Sequence, residues 1–325
     1  MVRSLARCVT QGAGVVLIAA CLSCVPQVFA AVEPITPNAT IEQMQRAAAN
    51  VRAGRTLTPK TWPGGARVAV CISVDIDNES TWRDNPLPVK LSEGEYGALE
   101  GLPRILSTLD EFHVPASFYV PVLSAALHPQ MIPDIVKRGR HEIGVHGWVH
   151  EEASKIDDPE KEARLLSQAV ECLTKAAGQR PRGIRAPSWD FSLNTLSLIR
   201  QAGFAYDTSM MAMDQPYELN SNGAPTGLVE IPINWITDDY EYYEPEASGS
   251  LPSPEAVYKI YQAEFDGAYQ ERTLFVLTMH AHVTGHRSRI VVLRRLLAYM
   301  KSKPKVWFAT LGQVADYVKH QGGAP

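Results

Sequence analysis

Beyond residue 65 the chain alternates short apolar, β-branched runs with longer stretches of helical period. The runs are Arg67 to Val74, Pro115 to Val120, Glu142 to Val145, Gly183 to Ala186, Leu228 to Trp235, Thr273 to Thr278 and Val306 to Ala309. Each is bounded by turn-forming residues, which predicts strands. Between them the clearest helix is Glu160 to Ala177. There Ala163, Leu166, Val170, Leu173 and Ala177 make one stripe behind Asp158 as a cap and Pro159 at the first helical position. Further helices are predicted to start at Ser192, at Ser253-Pro254 and at Ser288. Near-continuous apolar strands alternating with helices imply a parallel sheet covered by helices. About seven such units predict an α/β fold, an incomplete or distorted β/α barrel in a single domain over residues 66–320. Residues 31–65 read as an N-terminal arm or linker with a helical pattern from Ile41 to Val51.

Composition narrows the picture without changing it. With 31 Lys and Arg against 35 Asp and Glu the net charge is −4, so no nucleic-acid partner is expected. Of five cysteines, Cys8, Cys21 and Cys24 fall in the first thirty residues, and Cys71 with Cys172 makes no disulfide framework. Those thirty residues read as a signal peptide. Arg3 and Arg7 form a positive start, Val15 to Val25 an apolar run too short to span a bilayer, and Val28-Phe29-Ala30 a small-residue cleavage site. The expectation is a periplasmic or secreted protein, not an integral membrane protein. Ile18-Ala19-Ala20-Cys21 offers the alternative of a lipid anchor on Cys21.

In a barrel of this kind the chemistry gathers at the C-terminal strand ends. The first predicted strand ends in Asp75-Ile76-Asp77, two acids that repel unless a cation or a shared proton relieves them; the plain reading is an Asp77-capped turn. The third ends in His146-Gly-Trp-Val-His150. Two imidazoles four residues apart plus one carboxylate make three metal ligands with a position left open. The next ends in Arg185-Ala-Pro-Ser-Trp-Asp190, where a buried arginine either fixes an acid or makes a structural ion pair. The late strand ends in Met279-His280-Ala281-His282, a core polar group or a titratable acid, with His286 beyond it. His113, His128, His141 and His320 have no partner that the sequence identifies. Trp148, Trp189, Trp235 and the cluster Tyr240, Tyr242 and Tyr243 are candidates for an aromatic wall beside the site.

Taken together, these motifs resemble the polysaccharide deacetylase family, carbohydrate esterase family four, over about residues 62 to 319. The stretches Trp62-Pro-Gly-Gly-Ala-Arg-Val-Ala, Leu91-Ser-Glu-Gly-Glu-Tyr-Gly, Ala186-Pro-Ser-Trp-Asp-Phe-Ser and Phe204-Ala-Tyr-Asp-Thr-Ser resemble one branch of it. That branch holds the Helicobacter-type peptidoglycan deacetylase and the metal-independent allantoinases. The resemblance implies a distorted (β/α)7 barrel as the catalytic domain over residues 66–320, with a divalent metal ion, zinc or a similar one, on Asp77, His146 and His150. It implies Asp75 as general base, Arg185 as its orienting partner and His280 as general acid. The backbone N–H of Ser188, with Trp189, is expected to meet the substrate. Most of the family has two adjacent acids in its first motif, whereas Ile76 separates them here, a spacing that suits the branch. The acid that steadies His280 is expected to be Asp238, with Asp207 as the other candidate.

The expected activity is removal of N-acetyl groups from peptidoglycan or another N-acetylated polysaccharide. Hydrolysis of small cyclic amides or imides is a second reading, and a non-catalytic glycan-binding protein a third. The partners implied are an N-acetylated glycan or a small amide substrate, and the sequence leaves room for a homo-oligomer.

Overall fold

The computed structural model describes residues 37–244 and 249–321. The signal-peptide segment and Cys21 lie outside them. Among the described residues ten strands form one sheet: β1 Arg52–Thr56, β2 Val68–Asp75, β3 Ser117–Val120, β4 Glu142–Val145, β5 Gly183–Ile184, β6 Tyr206–Asp207, β7 Tyr217–Ser221, β8 Ala224–Glu230, β9 Leu274–His280 and β10 Val306–Ala309. Seven of them, β2, β3, β4, β5, β6, β8 and β9, run parallel and curl into a barrel. It closes between β8 and β9 through a single parallel bridge, Asp238 to Thr278.

Alternation along the strands sorts side chains between two cores. On β2, Val68, Val70, Ile72 and Val74 face the surrounding helices, while Ala69 and Cys71 join Tyr119, Tyr206, Leu274 and Val276 inside the barrel. The same alternation on β9 turns Phe275, Leu277 and Met279 outward. The interior rows of β2 and β9 therefore climb through Ser73 and Thr278, which share a hydrogen bond at 3.2 Å, to Asp75 and His280 at the top.

Several elements differ from the sequence reading, for physical reasons. The run Leu228 to Trp235 stops as a strand at Glu230 and passes through a 3-10 turn, Trp235–Thr237, as the chain swings towards β9. The barrel strand that the pattern did not show is β6, only two residues long. Val306 to Ala309 pairs only with the lower half of β2, below β3. The helix Pro159–Ala177 has its predicted Asp158 cap. Its buried face runs through Glu162, Ala169, Val170, Cys172, Leu173 and Ala177, with Ala163 and Leu166 at the margin. The helices expected at Ser192 and Ser288 start at Thr195 and Ile290. The segment read as an arm or linker holds a helix, Ile41–Ala48, and then β1, which extends the sheet antiparallel to β7. Leu57 and Trp62, which follow, are buried. Cys71 and Cys172 are both buried, and no disulfide joins them. Among the described residues no helix is long and apolar enough to cross a membrane.

Candidate active site

At the top of the barrel interior, four strand ends bring their polar groups together. Asp75 closes β2, His146 follows β4, Arg185 follows β5 and His280 closes β9. All four are at least nine-tenths buried. Arg185 anchors the group from below. It donates to Asp75 Oδ1 at 2.6 Å, to Ser73 Oγ at 3.0 Å and to the Thr208 carbonyl at 3.1 Å, with its guanidinium 4.4 Å from the Tyr119 ring centroid. Nε, Nη1 and Nη2 each donate to an oxygen and a ring face covers the guanidinium, which is what lets a cation sit inside the barrel. Asp75 keeps its second oxygen for the interior, 3.8 Å from His146 Nε2 and 4.0 Å from His280 Nε2.

Asp77 lies just past the strand, on the first turn of the 3-10 segment Asn78–Trp82. Its carbonyl accepts from Ser80 and Ser124, and its side chain makes no capping bond. The carboxylate instead faces three imidazoles. Oδ1 is 3.3 Å from His146 Nε2, and Oδ2 is 3.5 Å from His150 Nε2 and 3.6 Å from His280 Nε2. Burial by itself would raise this carboxyl, but His150 and His146 hold it well below the usual carboxylate range. His146 Nδ1 donates to the Arg185 carbonyl at 2.8 Å, which turns Nε2 towards Asp77. Burial pushes His150 down to about 4, which keeps it a neutral ligand above that pH.

Asp77, His146 and His150 offer one oxygen and two nitrogens within 4.8 Å of one another, and Asp77 Oδ1 has no hydrogen-bond donor. A carboxylate with two imidazoles and an orphaned buried oxygen fit a divalent ion with room for further ligands.

The acid beside His280 is Asp239, not Asp238 or Asp207. Asp239 Oδ1 accepts from His280 Nδ1 at 2.7 Å, both its oxygens accept the His280 backbone N–H at 3.0 Å, and Oδ2 accepts from Thr284. Asp238 stands 3.7 Å from His280 Nδ1 and spends Oδ1 on the Tyr240 N–H; burial pushes it up to about 8. Asp207 lies on the helix side of the sheet, paired in register with Glu230. Burial opposes protonation of His280, but the acids at positions 238 and 239 outweigh it and raise the imidazole well above its ordinary value. The adjacency of two acids gave no clue to which one pairs, because the bridge from Asp238 to Thr278 sets the phase.

The expected substrate contacts are less well met. Ser188 is exposed, Trp189 packs half-buried on the interior core, and both have positive φ, 52° and 55°. Of the aromatic wall, Tyr240 reaches His280, at 5.3 Å between ring centroids. Trp148 and Tyr242 pack partly buried on the outer core, Tyr243 is buried in it, and Trp235 is exposed. Trp82, which the sequence reading passed over, meets His282 edge-on at 5.5 Å. His282 itself is buried, with neither ring nitrogen hydrogen-bonded.

Comparison with known proteins bears on the family and the fold. Residues 95–206 match the family model for polysaccharide deacetylase. The chain is 28% identical over 282 residues to the peptidoglycan deacetylase of Helicobacter pylori, covering 77% of this chain and 95% of that one. A crystal structure assigned to a polysaccharide deacetylase of Mycobacterium smegmatis superposes with a TM-score of 0.77 at 33% identity, covering 84% of this chain and 97% of the other. An allantoinase structure superposes with a TM-score of 0.70 at 25% identity, covering 81% and 93%. The strand-end motifs, the curled parallel barrel and these matches place the chain in the polysaccharide deacetylase family, hydrolases that act on amide bonds.

Proposed function

We propose that the protein is an exported, metal-dependent amidohydrolase that removes N-acetyl groups from peptidoglycan or another N-acetylated polysaccharide. The observation that carries this reading is the convergence of Asp77, His146 and His150 beside a separate base and a separate acid. A divalent ion bound there, zinc in the simplest case, would lower the pKa of a bound water and polarise the scissile carbonyl. The chain's own residues supply the rest. Asp75, held through Oδ1 by Arg185, receives the proton of the attacking water on Oδ2. His280, its Nδ1 fixed by Asp239, presents Nε2 to the departing nitrogen and protonates it, so that the C–N bond breaks to an amine and acetate. The Arg185 fork and the His280–Asp239 pair hold acid and base in place before substrate arrives.

Export rests on the charged and apolar pattern of residues 1–30, with a mature N-terminus near Ala31. Sequencing the N-terminus of the exported protein checks it, and a lipid on Cys21 would replace cleavage after Ala30 by anchoring.

A second reading, hydrolysis of a small cyclic amide or imide, is favoured by one observation: Asp75, Asp77, His146 and His280 are 2%, 3%, 2% and 7% exposed. Such closure suits a small substrate better than a polymer. Incubating the zinc-loaded protein with chito-oligosaccharides, muropeptides and a five-membered cyclic imide, and measuring acetate and ring opening, separates the two. Acetate from a glycan supports deacetylation; ring opening without acetate overturns it.

A further inference from the structure

The loop from His146 to His150 carries two of the three candidate ligands, and its backbone is bonded at nearly every unit. The His146 N–H donates to the Val120 carbonyl, and the Gly147 and Trp148 carbonyls accept from Val122 and Leu123. Those are main-chain bonds that any sequence could make. Among the described residues, two side chains add further bonds to this backbone. Glu151 folds back on the loop: Oε1 accepts the Trp148 N–H at 3.0 Å, and Oε2 accepts the N–H groups of Trp148 and Val149 at 2.9 and 2.7 Å. From the opposite side, Arg83 donates through Nη1 to the His150 carbonyl.

The conformation that these two side chains hold is not one the chain adopts readily. His150 sits at φ 63°, a left-handed position that disfavours a residue with a Cβ. Gly147 sits at φ 78°, and a Cβ there would lie 2.8 Å from Pro187 Cγ and 3.2 Å from Glu151 Oε2. A left-handed histidine persists only when its surroundings over-determine it. Arg83 reaches it because the 3-10 segment before Arg83 rests on the helix Pro88–Tyr96 at Gly94, where a Cβ would come within 2.2 Å of the Glu79 N. Asp77 belongs to that same turn. One end of the clamp is thus tied to the carboxylate ligand and the other to the imidazoles.

We infer that Glu151 and Arg83 are positioning residues which set the affinity of the Asp77–His146–His150 site for a divalent ion by holding the ligand loop in its strained conformation. This rests on the metal-dependent reading above. Neither side chain has to touch the ion: each fixes a peptide group whose rotation would swing an imidazole away. Partners outside the ligand set typically change metal affinity ~10–100-fold when removed.

The test is the zinc dissociation constant, measured by competition with a chromogenic chelator, for Glu151→Ala, Glu151→Gln, Arg83→Met and Arg83→Lys in the full chain. Thermal melting of each metal-free protein accompanies it. Glu151→Ala and Arg83→Met should weaken zinc ~10–100-fold with the metal-free melting point unchanged. Glu151→Gln and Arg83→Lys, which keep an acceptor and a donor, should recover most of the loss. Unchanged affinity in both truncations, with the fold intact, overturns the inference. If Glu151→Ala does not fold, the Arg83 pair decides alone, since Arg83→Met against Arg83→Lys isolates the bond to His150. A wild-type protein that binds no divalent ion overturns the metal-dependent reading and this inference with it, and that result is visible before any variant is made.

Discussion

Asp75 and His280 are register partners on neighbouring parallel strands, both turned into the barrel, with Asp75 Oδ2 4.0 Å from His280 Nε2. A proposed base and a proposed acid thus face the same small volume from adjacent strands, and Arg185 on one and Asp239 on the other hold them apart in role. Asp75→Asn should retain the divalent ion and lose turnover by about 10²- to 10⁴-fold, since a base and not a ligand is removed. Metal content by elemental analysis with kcat in the same preparation checks this. Loss of the ion in Asp75→Asn would mean that Asp75 and Asp77 exchange roles.

The ligand assignment predicts about one divalent ion per purified chain, and none in Asp77→Ala or His146→Ala. His146→Ala should do further damage, because the Arg185 carbonyl loses its imidazole donor inside the barrel. Full metal occupancy in either variant, with an unchanged circular dichroism spectrum, would rule out these ligands.

The Asp239 contact predicts a shift in the alkaline limb of the rate profile. His280 must carry a proton to act as acid, and its raised pKa keeps that proton to higher pH. Activity should therefore fall only as pH rises through that raised value. Asp239→Asn removes a negative charge and should move the fall to lower pH, whereas Asp238→Asn should act mainly through charge, with the Nδ1 bond intact. A kcat-against-pH series for the three proteins decides it; coincident alkaline limbs would refute the role given to Asp239.

On the helix side of the sheet, Asp207 and Glu230 are fully buried in paired register. Burial, added to their mutual repulsion, pushes Glu230 well above its usual range, and burial lifts Asp207 to about 6. A carboxyl with a raised folded pKa binds more protons folded than unfolded. Its contribution is thus complete below the unfolded value and lost as pH rises through the folded one. Chemical denaturation between about pH 4 and pH 8 should show stability declining across that window through this pair. Glu230→Gln keeps an acceptor for the Ser209 and Met210 N–H groups while removing one charge, and should flatten the decline. An equal slope in the variant would assign the decline to other groups.

Asp75, Asp77, His146, His150, Arg185 and His280 could all be picked out from the sequence, because strand ends reveal themselves as polar residues terminating apolar runs. The barrel was legible for the same reason: alternation of apolar strands and helices is a local pattern. What no local pattern carries is phase between distant segments. Which of Asp238 and Asp239 meets His280 follows from a single bridge to β9. That Asp207 turns away from the site follows from its pairing with Glu230. The strand β6, at two residues, is defined by its neighbours' hydrogen bonds and not by its own composition. The clamp on the ligand loop joins Glu151 to residues beside it and Arg83 to a carbonyl 67 positions away. Hydrophobic periodicity selects the elements and the faces they bury; hydrogen bonds across the closed sheet, unavailable until the strands are in register, decide which polar side chains meet.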